Sequence, residues 1–410
     1  MRSFTRLTAI AIFALPALCN TEAASKKVAA AWYAGWHSDG FPLEQVSWAK
    51  YTHLTYAFAE TTNSSTLDLS NSNPSVLPQF VAEAHKHGVK ALVSIGGWTG
   101  SRYWSSSVSS DSNRIAFVKT VIDFVKKFKL DGLDFDWEYP NSPGIGCNTM
   151  SPSDTSNFLS FLQLLRADPI GKTLILSAAT ATVPFNDASG NPSTSVVGFS
   201  KFLDFVAIMN YDIWGPWSPT VGPNAPLDDA CAAPSNRQGS ATSAVKKWVE
   251  AGIPASKLVL GVPAYGHSFK VPKADALKSG SATELASYPE FDASSHPAGD
   301  SWDDAPGVDV CGVFEPQGGV ITFWGLIQKG YLNDKGTVKP GILSAYDTCS
   351  QTPYVYNLKL EVMVSYDNAE SFAAKGNFIE THSLKGFAMW EAGGDYKDIL
   401  LNSIRKSAGF

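Results

Sequence analysis

The chain has 410 residues, 44% of them hydrophobic and 17% charged, with a formal net charge of −6 at pH 7. That is enough apolar sequence for one large domain plus an insert, and it excludes a disordered, fibrous or membrane-spanning chain. No long basic block is present, so the electrostatic footprint for nucleic acid or an anionic membrane is missing and a neutral partner is expected.

The N-terminus carries Arg2 and Arg6, then an almost purely apolar run from Leu7 to Leu18, then small residues around Ala23-Ala24-Ser25. This order predicts a cleaved secretory signal over residues 1–24 and an extracellular protein. The apolar run is too short to span a bilayer. Cleavage removes Cys19 and leaves Cys147, Cys231, Cys311 and Cys349, an even set suited to two disulfides in an oxidising compartment. Asn63-Ser64-Ser65 is the only glycosylation sequon, of consequence in a eukaryotic host.

From residue 28 onward short apolar runs alternate with amphipathic stretches, the pattern of β-α units around a parallel sheet. Strands are predicted at Val28 to Ala34, Tyr51 to Ala59, Lys90 to Ile95, Gly132 to Glu138, Thr173 to Ala179, Phe205 to Tyr211, Leu258 to Ala264 and Gly386 to Trp390. Helical spacing between them recurs in Ile115, Phe117, Val118, Val121, Ile122, Val125 and Phe128, and again in Phe158, Phe161, Leu162 and Leu165. Eight such strands with outer helices predict an α/β fold, the closed (β/α)8 or TIM barrel, over residues 25–266 and 362–410. The rhythm fails from His267 to about Glu361, where turns rich in Gly, Asp and Pro surround Val320 to Trp324 and Tyr346 to Leu358. A structureless loop of that length is improbable, so a small α+β insertion domain is expected over 267–361, between strands seven and eight. Cys311 and Cys349 both lie inside it, which favours pairing them and leaves Cys147 with Cys231.

Within the fourth strand, Asp134, Asp136 and Glu138 project one way and Leu133, Phe135 and Trp137 the other. The apolar side requires burial under helices, whereas three carboxylates on one side require protons, hydrogen bonds or a ligand. No neighbouring His or Cys completes a metal set, and no metal or cofactor is expected. The C-terminal strand edges, where such barrels carry their sites, hold Trp36, Phe58, Glu60, Gly97, Trp98, Glu138, Tyr139, Met209, Tyr211, Asp212, Tyr265, Trp390 and Glu391. Carboxylates beside stacking aromatics suit a sugar polymer, because sugar rings present flat CH faces and cleavage needs an acid at the glycosidic oxygen. Glu138, at the strand tip, is the expected acid, with Asp136 raising its pKa and Asp134 sharing a proton deeper in. No equally placed second carboxylate announces itself as a nucleophile, although Asp212 and Glu391 lie on the rim.

Asp131-Gly132-Leu133-Asp134-Phe135-Asp136-Trp137-Glu138 resembles the signature of the family 18 glycoside hydrolases, the chitinases. Ser94-x-Gly96-Gly97, Met209-x-Tyr211-Asp212, Tyr366-Asp367 and Gly386 to Trp390 resemble further motifs of that family in the same order. The resemblance implies retaining hydrolysis of β-1,4 bonds in chitin and N-acetylglucosamine oligomers. In that scheme the substrate's own 2-acetamido group replaces a protein nucleophile and forms an oxazolinium intermediate. Glu138 would be the acid and base, Asp136 would orient the acetamide, Asp134 would hold Asp136, Tyr211 and Asp212 would position the acetamide, and Trp390 would floor the cleavage subsite. Tyr33, Trp36, Trp98, Trp214, Trp217 and Trp324 become candidates for further sugar contacts, with Phe58 and Gly97 shaping the pocket. The insert resembles the family's additional domain and would wall one side of the groove. Two positions depart from the family pattern, His267 where Arg is common and Trp324-Gly325 where an aromatic residue followed by Glu is common. A lectin-like chitin binder and an N-glycan-cleaving endo-β-N-acetylglucosaminidase are the competing implications, and a monomer is expected.

Overall fold

The computed structural model describes residues 27–410; the expected signal over 1–24 lies outside them. Eight parallel strands close into a barrel. In chain order they are Val28–Ala34, His53–Thr61, Lys90–Gly96, Gly132–Asp136, Ile175–Thr180, Phe205–Ile208, Leu258–Pro263 and Gly386–Trp390. The first strand pairs in parallel with both the second and the eighth, which completes the cylinder. The apolar runs locate every barrel strand: the first and eighth match their expected bounds and the other six differ by up to three residues at an end, most at the sixth, where Met209, Asn210 and Tyr211 leave the ladder for the rim.

Alternation divides the fourth strand as expected. Leu133, Phe135 and Trp137 are buried in the layer between barrel and helices. The Trp104 ring stacks on Trp137 at 5.4 Å, and Phe158 meets Phe135 edge-on at 5.8 Å. Each such ring contributes roughly 1.5–3 kcal/mol by leaving water. The helices Asp111–Phe128 and Asp154–Ala167 supply Phe117, Phe158 and Phe161 to this layer. On the inner side the lining is Val28, Ala30, Trp32, Ala57, Ala179, Phe205, Ala207, Val259 and Ala388; the alanines leave room for the carboxylates.

Between the seventh and eighth barrel strands the chain builds a second sheet. Its five antiparallel strands lie in the order Val320–Thr322, Tyr265–Lys270, Val362–Ser365, Thr352–Asn357 and Leu343–Asp347. The strand Tyr265–Lys270 starts two residues after the seventh barrel strand ends, so the insert grows straight out of the barrel rim. A separate hairpin, Gly307–Val308 with Phe314–Glu315, projects from it with Val308 and Phe314 exposed.

The disulfides correct the pairing expected from sequence. Cys147 bonds Cys311 and Cys231 bonds Cys349, with Cα separations of 5.6 and 5.8 Å. Cys311 sits at the tip of the projecting hairpin, whereas Cys349 lies in the turn between Leu343–Asp347 and Thr352–Asn357. Those are different sheets, so the two cysteines face different barrel loops. Each bridge therefore ties the insert to the barrel rim, one behind strand four and one behind strand six.

Candidate active site

Asp134 is buried and accepts three hydrogen bonds, from Trp32 Nε1 (3.1 Å), Ser94 Oγ (2.8 Å) and Ser177 Oγ (2.6 Å). Burial pushes its carboxyl up and the three donors pull it down, leaving it above the ordinary value. Asp136 is also buried, but its Oδ1 has no partner. Burial first, then the charges of Glu138 and Asp134, drive its carboxyl well up, so it holds a proton while its neighbours are charged. Glu138 is raised to about 7, chiefly by burial and further by Asp212, while a hydrogen bond from Tyr139 pulls the other way. That value suits a group that must donate and recover a proton near neutrality.

The strand tip is shaped by its neighbours. Ser101 Oγ donates to the Asp136 carbonyl and accepts from the Glu138 N–H. Asn148 Nδ2 donates to the Glu138 carbonyl at 2.8 Å. Gly96 has φ +114°, and a Cβ there would lie 2.0 Å from the Asp136 carbonyl oxygen. Only glycine permits that approach.

Across the mouth, Asp212 takes a left-handed φ of +55°, held by its N–H on Asn224 Oδ1 at 2.8 Å. Asn224 Nδ2 donates to the Tyr265 carbonyl, and its own N–H donates to Ser365 Oγ. One buried asparagine thus joins the strand-six tip to the entry and exit of the insert. The Asp212 Oδ1 accepts from Tyr265 OH (2.7 Å) and pairs with His267 Nε2 (2.8 Å). Burial raises the Tyr139, Tyr211 and Tyr265 hydroxyls well above their ordinary value, so each stays protonated as a donor. Met209 and Trp390 both pack against the cluster of Tyr211, Ala225 and Tyr265.

Trp390 forms the aromatic floor. Its ring stacks on Phe58 at 5.5 Å and tilts against Trp32 at 5.9 Å and Trp36 at 6.3 Å. A Cβ on Gly97 would meet the Phe58 ring at 2.8 Å, so Gly97 leaves space for it. Trp36, Trp98 and Trp217 are 42%, 51% and 64% exposed. Two expected contacts are corrected. Tyr33 lies on the outer side of the first strand, packed with Tyr56 and Phe80 and bonded to the Phe41 carbonyl. Trp214 is buried, packed against Tyr288 and seated where a Cβ on Gly222 would come within 2.1 Å of its ring. Gly222, eight residues on, leaves the space that the ring fills. Trp324 is half-buried, edge-on to Trp302, and Trp302 stacks on His37, which pairs with Glu391 at 2.7 Å.

Sequence reasoning missed Trp32, Ser177 and His37. Trp32 was legible, since Val28, Ala30 and Trp32 share one side of the strand and Tyr33 the other. Ser177 and His37 carry no local signal. Among the described residues no group of three or more His, Cys, Asp or Glu side chains is placed to hold a metal ion. Asn63 is exposed, as a glycosylation acceptor must be. A recess of about 810 Å3 against the helix Leu77–Lys86, lined by Trp48, Lys86 and His87 among others, shares no residue with the barrel mouth.

The sequence pattern of glycosyl hydrolases family 18 matches residues 28–395. A chitinase-like effector of Moniliophthora roreri is 56% identical over 387 residues, covering 94% of each chain. A chitinase-like effector of Moniliophthora perniciosa is 53% identical, covering 95% of this chain and 89% of that protein. The crystal structure of a chitinase from Rhizomucor miehei superposes with a TM-score of 0.84 at 34% identity, covering 93% of this chain and all of that one. With Glu138 at the tip of the fourth strand of a closed barrel, and the family pattern running from the first strand to beyond the eighth, the chain belongs to the family 18 glycosyl hydrolases.

Proposed function

We propose that the protein is a secreted chitinase that cleaves β-1,4 bonds between N-acetylglucosamine units with retention, using the substrate's acetamide as nucleophile. The observation that carries this reading is the unequal state of the carboxylates. Glu138 is raised to about 7, Asp134 accepts from three donors, and Asp136 is buried with its Oδ1 unpartnered. Neither Asp134 nor Asp136 is a free, charged nucleophile, and Asp212, across the mouth, has its Oδ1 held by Tyr265 and His267, so the second place of the two-carboxylate scheme is assigned to the acetamide.

Glu138 protonates the leaving oxygen. The acetamide carbonyl oxygen attacks the anomeric carbon of its own ring, the glycosidic bond breaks, and an oxazolinium forms with its positive charge shared over N, C and O. Asp136 turns its unpartnered oxygen to the acetamide N–H, and Asp134 receives it between turnovers. Tyr211 donates to the acetamide oxygen, with Asp212 and Tyr139 fixing its surroundings. The deprotonated Glu138 then takes a proton from water as that water opens the ring, restoring the acid. Trp390 floors the distorted sugar, and Trp36, Trp98 and Trp217 offer flat faces to its neighbours. The insert walls one side of the groove. Residues 1–24 act as the secretion signal, the mature chain works as a monomer, and N-terminal sequencing of secreted protein checks the cleavage.

The deciding experiment is NMR analysis of initial products from N-acetylglucosamine oligomers, with E138Q as control. Retained configuration and near-loss of turnover in E138Q are expected; inverted first products would sink the mechanism. Oligomers retained by the wild type without cleavage would favour the lectin-like reading. Cleavage confined to N-glycans would favour the endo-β-N-acetylglucosaminidase.

A further inference from the structure

Asp212 stands half in solvent, its side chain 47% exposed, yet one of its oxygens is fully engaged. Tyr265 OH and His267 Nε2 both converge on Oδ1, at 2.7 and 2.8 Å. Among the described residues nothing hydrogen-bonds Oδ2. His267 differs from its partner in every respect: it is 3% exposed, and its Nδ1 is buried with no partner. A hydrogen on Nδ1 would be an unsatisfied buried donor, so the tautomer that fits carries its hydrogen on Nε2, aimed at Asp212.

The ring is held on all sides. Tyr265 meets it edge-on at 5.7 Å and Trp217 at 5.3 Å. Its strand is paired on both edges, with Val320 opposite on one side and Ser365 on the other, and neither brings a charge. The titratable groups facing Asp212 and His267 are Tyr265, Tyr211, Tyr139 and Glu138. His267 thus belongs to the insert's sheet while its one hydrogen-bonding contact reaches the barrel's chemistry.

We propose that His267 is a positioning residue: an Nε2–H donor, locked in the insert's sheet, that pins Asp212 Oδ1 to the wall and leaves Oδ2 for the substrate. The inference rests on the roles proposed for Asp212 and Glu138. A donor without positive charge orients the carboxylate but leaves its negative charge in force, and that charge helps to keep the Glu138 proton on. A permanent cation in the same place would orient Asp212 equally well and cancel the charge. Orientation and charge are therefore separable by substitution.

The test compares H267A, H267Q and H267R on soluble N-acetylglucosamine oligomers across pH. In H267A, kcat falls roughly tenfold with KM changed by less than about twofold, because the lost hydrogen bond acts in the transition state. H267Q, which keeps a neutral donor, recovers most of kcat and the wild-type basic limb of kcat/KM. H267R moves that limb to lower pH by roughly half a unit or more. Wild-type kcat in H267A, or a basic limb in H267R at or above the wild-type position, overturns the proposal. Should H267A fail to fold, the H267Q and H267R profiles decide alone. If the wild type cleaves nothing, the proposed function has failed, and the inference is still read from the 13C titration of the Glu138 carboxyl, assigned by its loss in E138Q. A downward shift in H267R supports the positioning role, and an unchanged titration overturns it.

Discussion

Glu138 carries a proton to about pH 7 because it is withdrawn from water and faces Asp212. An acid that must be protonated to act loses activity once deprotonated, so kcat/KM is expected to decline as pH rises through about 7. The same shift has a stability sign. The folded state holds this proton more tightly than the unfolded chain, whose glutamate titrates near 4.5. Stability is therefore lost as pH rises from about 4.5 to about 7, and the penalty is constant above that. E138Q lacks the penalty. Its melting temperature relative to wild type should rise across that window and then level, in thermal melts at stepped pH; a difference independent of pH would contradict the burial argument. Two tryptophans three residues apart, both candidates for sugar contact, lie in different surroundings. Trp214 fills the core and Trp217 stands in solvent. W214A is expected to lose about 3–5 kcal/mol in denaturant titration. W217A should stay within about 0.5 kcal/mol of wild type but bind oligomers more weakly by calorimetry.

At the scale of elements, the insert is fastened to the barrel by covalent and polar joints at the rim. Cys147 follows the catalytic strand, and its bridge to Cys311 spans 164 residues of sequence; the bridge from Cys231 to Cys349 spans 118. Removing either by paired serine substitution is expected to cost about 2–4 kcal/mol, measured by denaturant unfolding, since each closes a long loop in the unfolded chain. Peptide mapping without reduction should recover the 147–311 and 231–349 crosslinks. Recovery of 147–231 would refute the rim-tethering account. Asn224 makes the polar joint: its side chain accepts from the Asp212 N–H and donates to the Tyr265 carbonyl, and its own N–H donates to Ser365 Oγ. Loss of its side chain would release the Asp212 N–H and the Tyr265 carbonyl, loosening the insert at its entry, while the bond from the Asn224 N–H to Ser365 Oγ would remain.

For the molecule as a whole, the insert is an outgrowth of the barrel rather than an appended module. Its strand Tyr265–Lys270 follows the seventh barrel strand after a single residue, Ala264, and Trp302 on its outer loop stacks on His37 of the first barrel unit. With contacts at three points and two bridges, calorimetry under oxidising conditions is expected to show one cooperative transition. Two resolved transitions would mean that the insert folds and melts by itself.

What the sequence alone determined is whatever depends on neighbours along the chain. The period-two alternation of Leu133, Phe135 and Trp137 against Asp134, Asp136 and Glu138 located the site, and eight apolar runs broken by helical spacing located the barrel. The even cysteine count implied two bridges. What only the tertiary structure decided depends on pairs distant in sequence: which cysteines meet, that Trp214 rather than Trp217 turns inward, that Tyr33 faces helices while Trp32 reaches Asp134, and that His267 lies against Asp212. Local pattern constrains which side of an element a residue occupies. Closing the barrel and folding the insert over its rim decide what stands opposite, and hence which of these side chains touch.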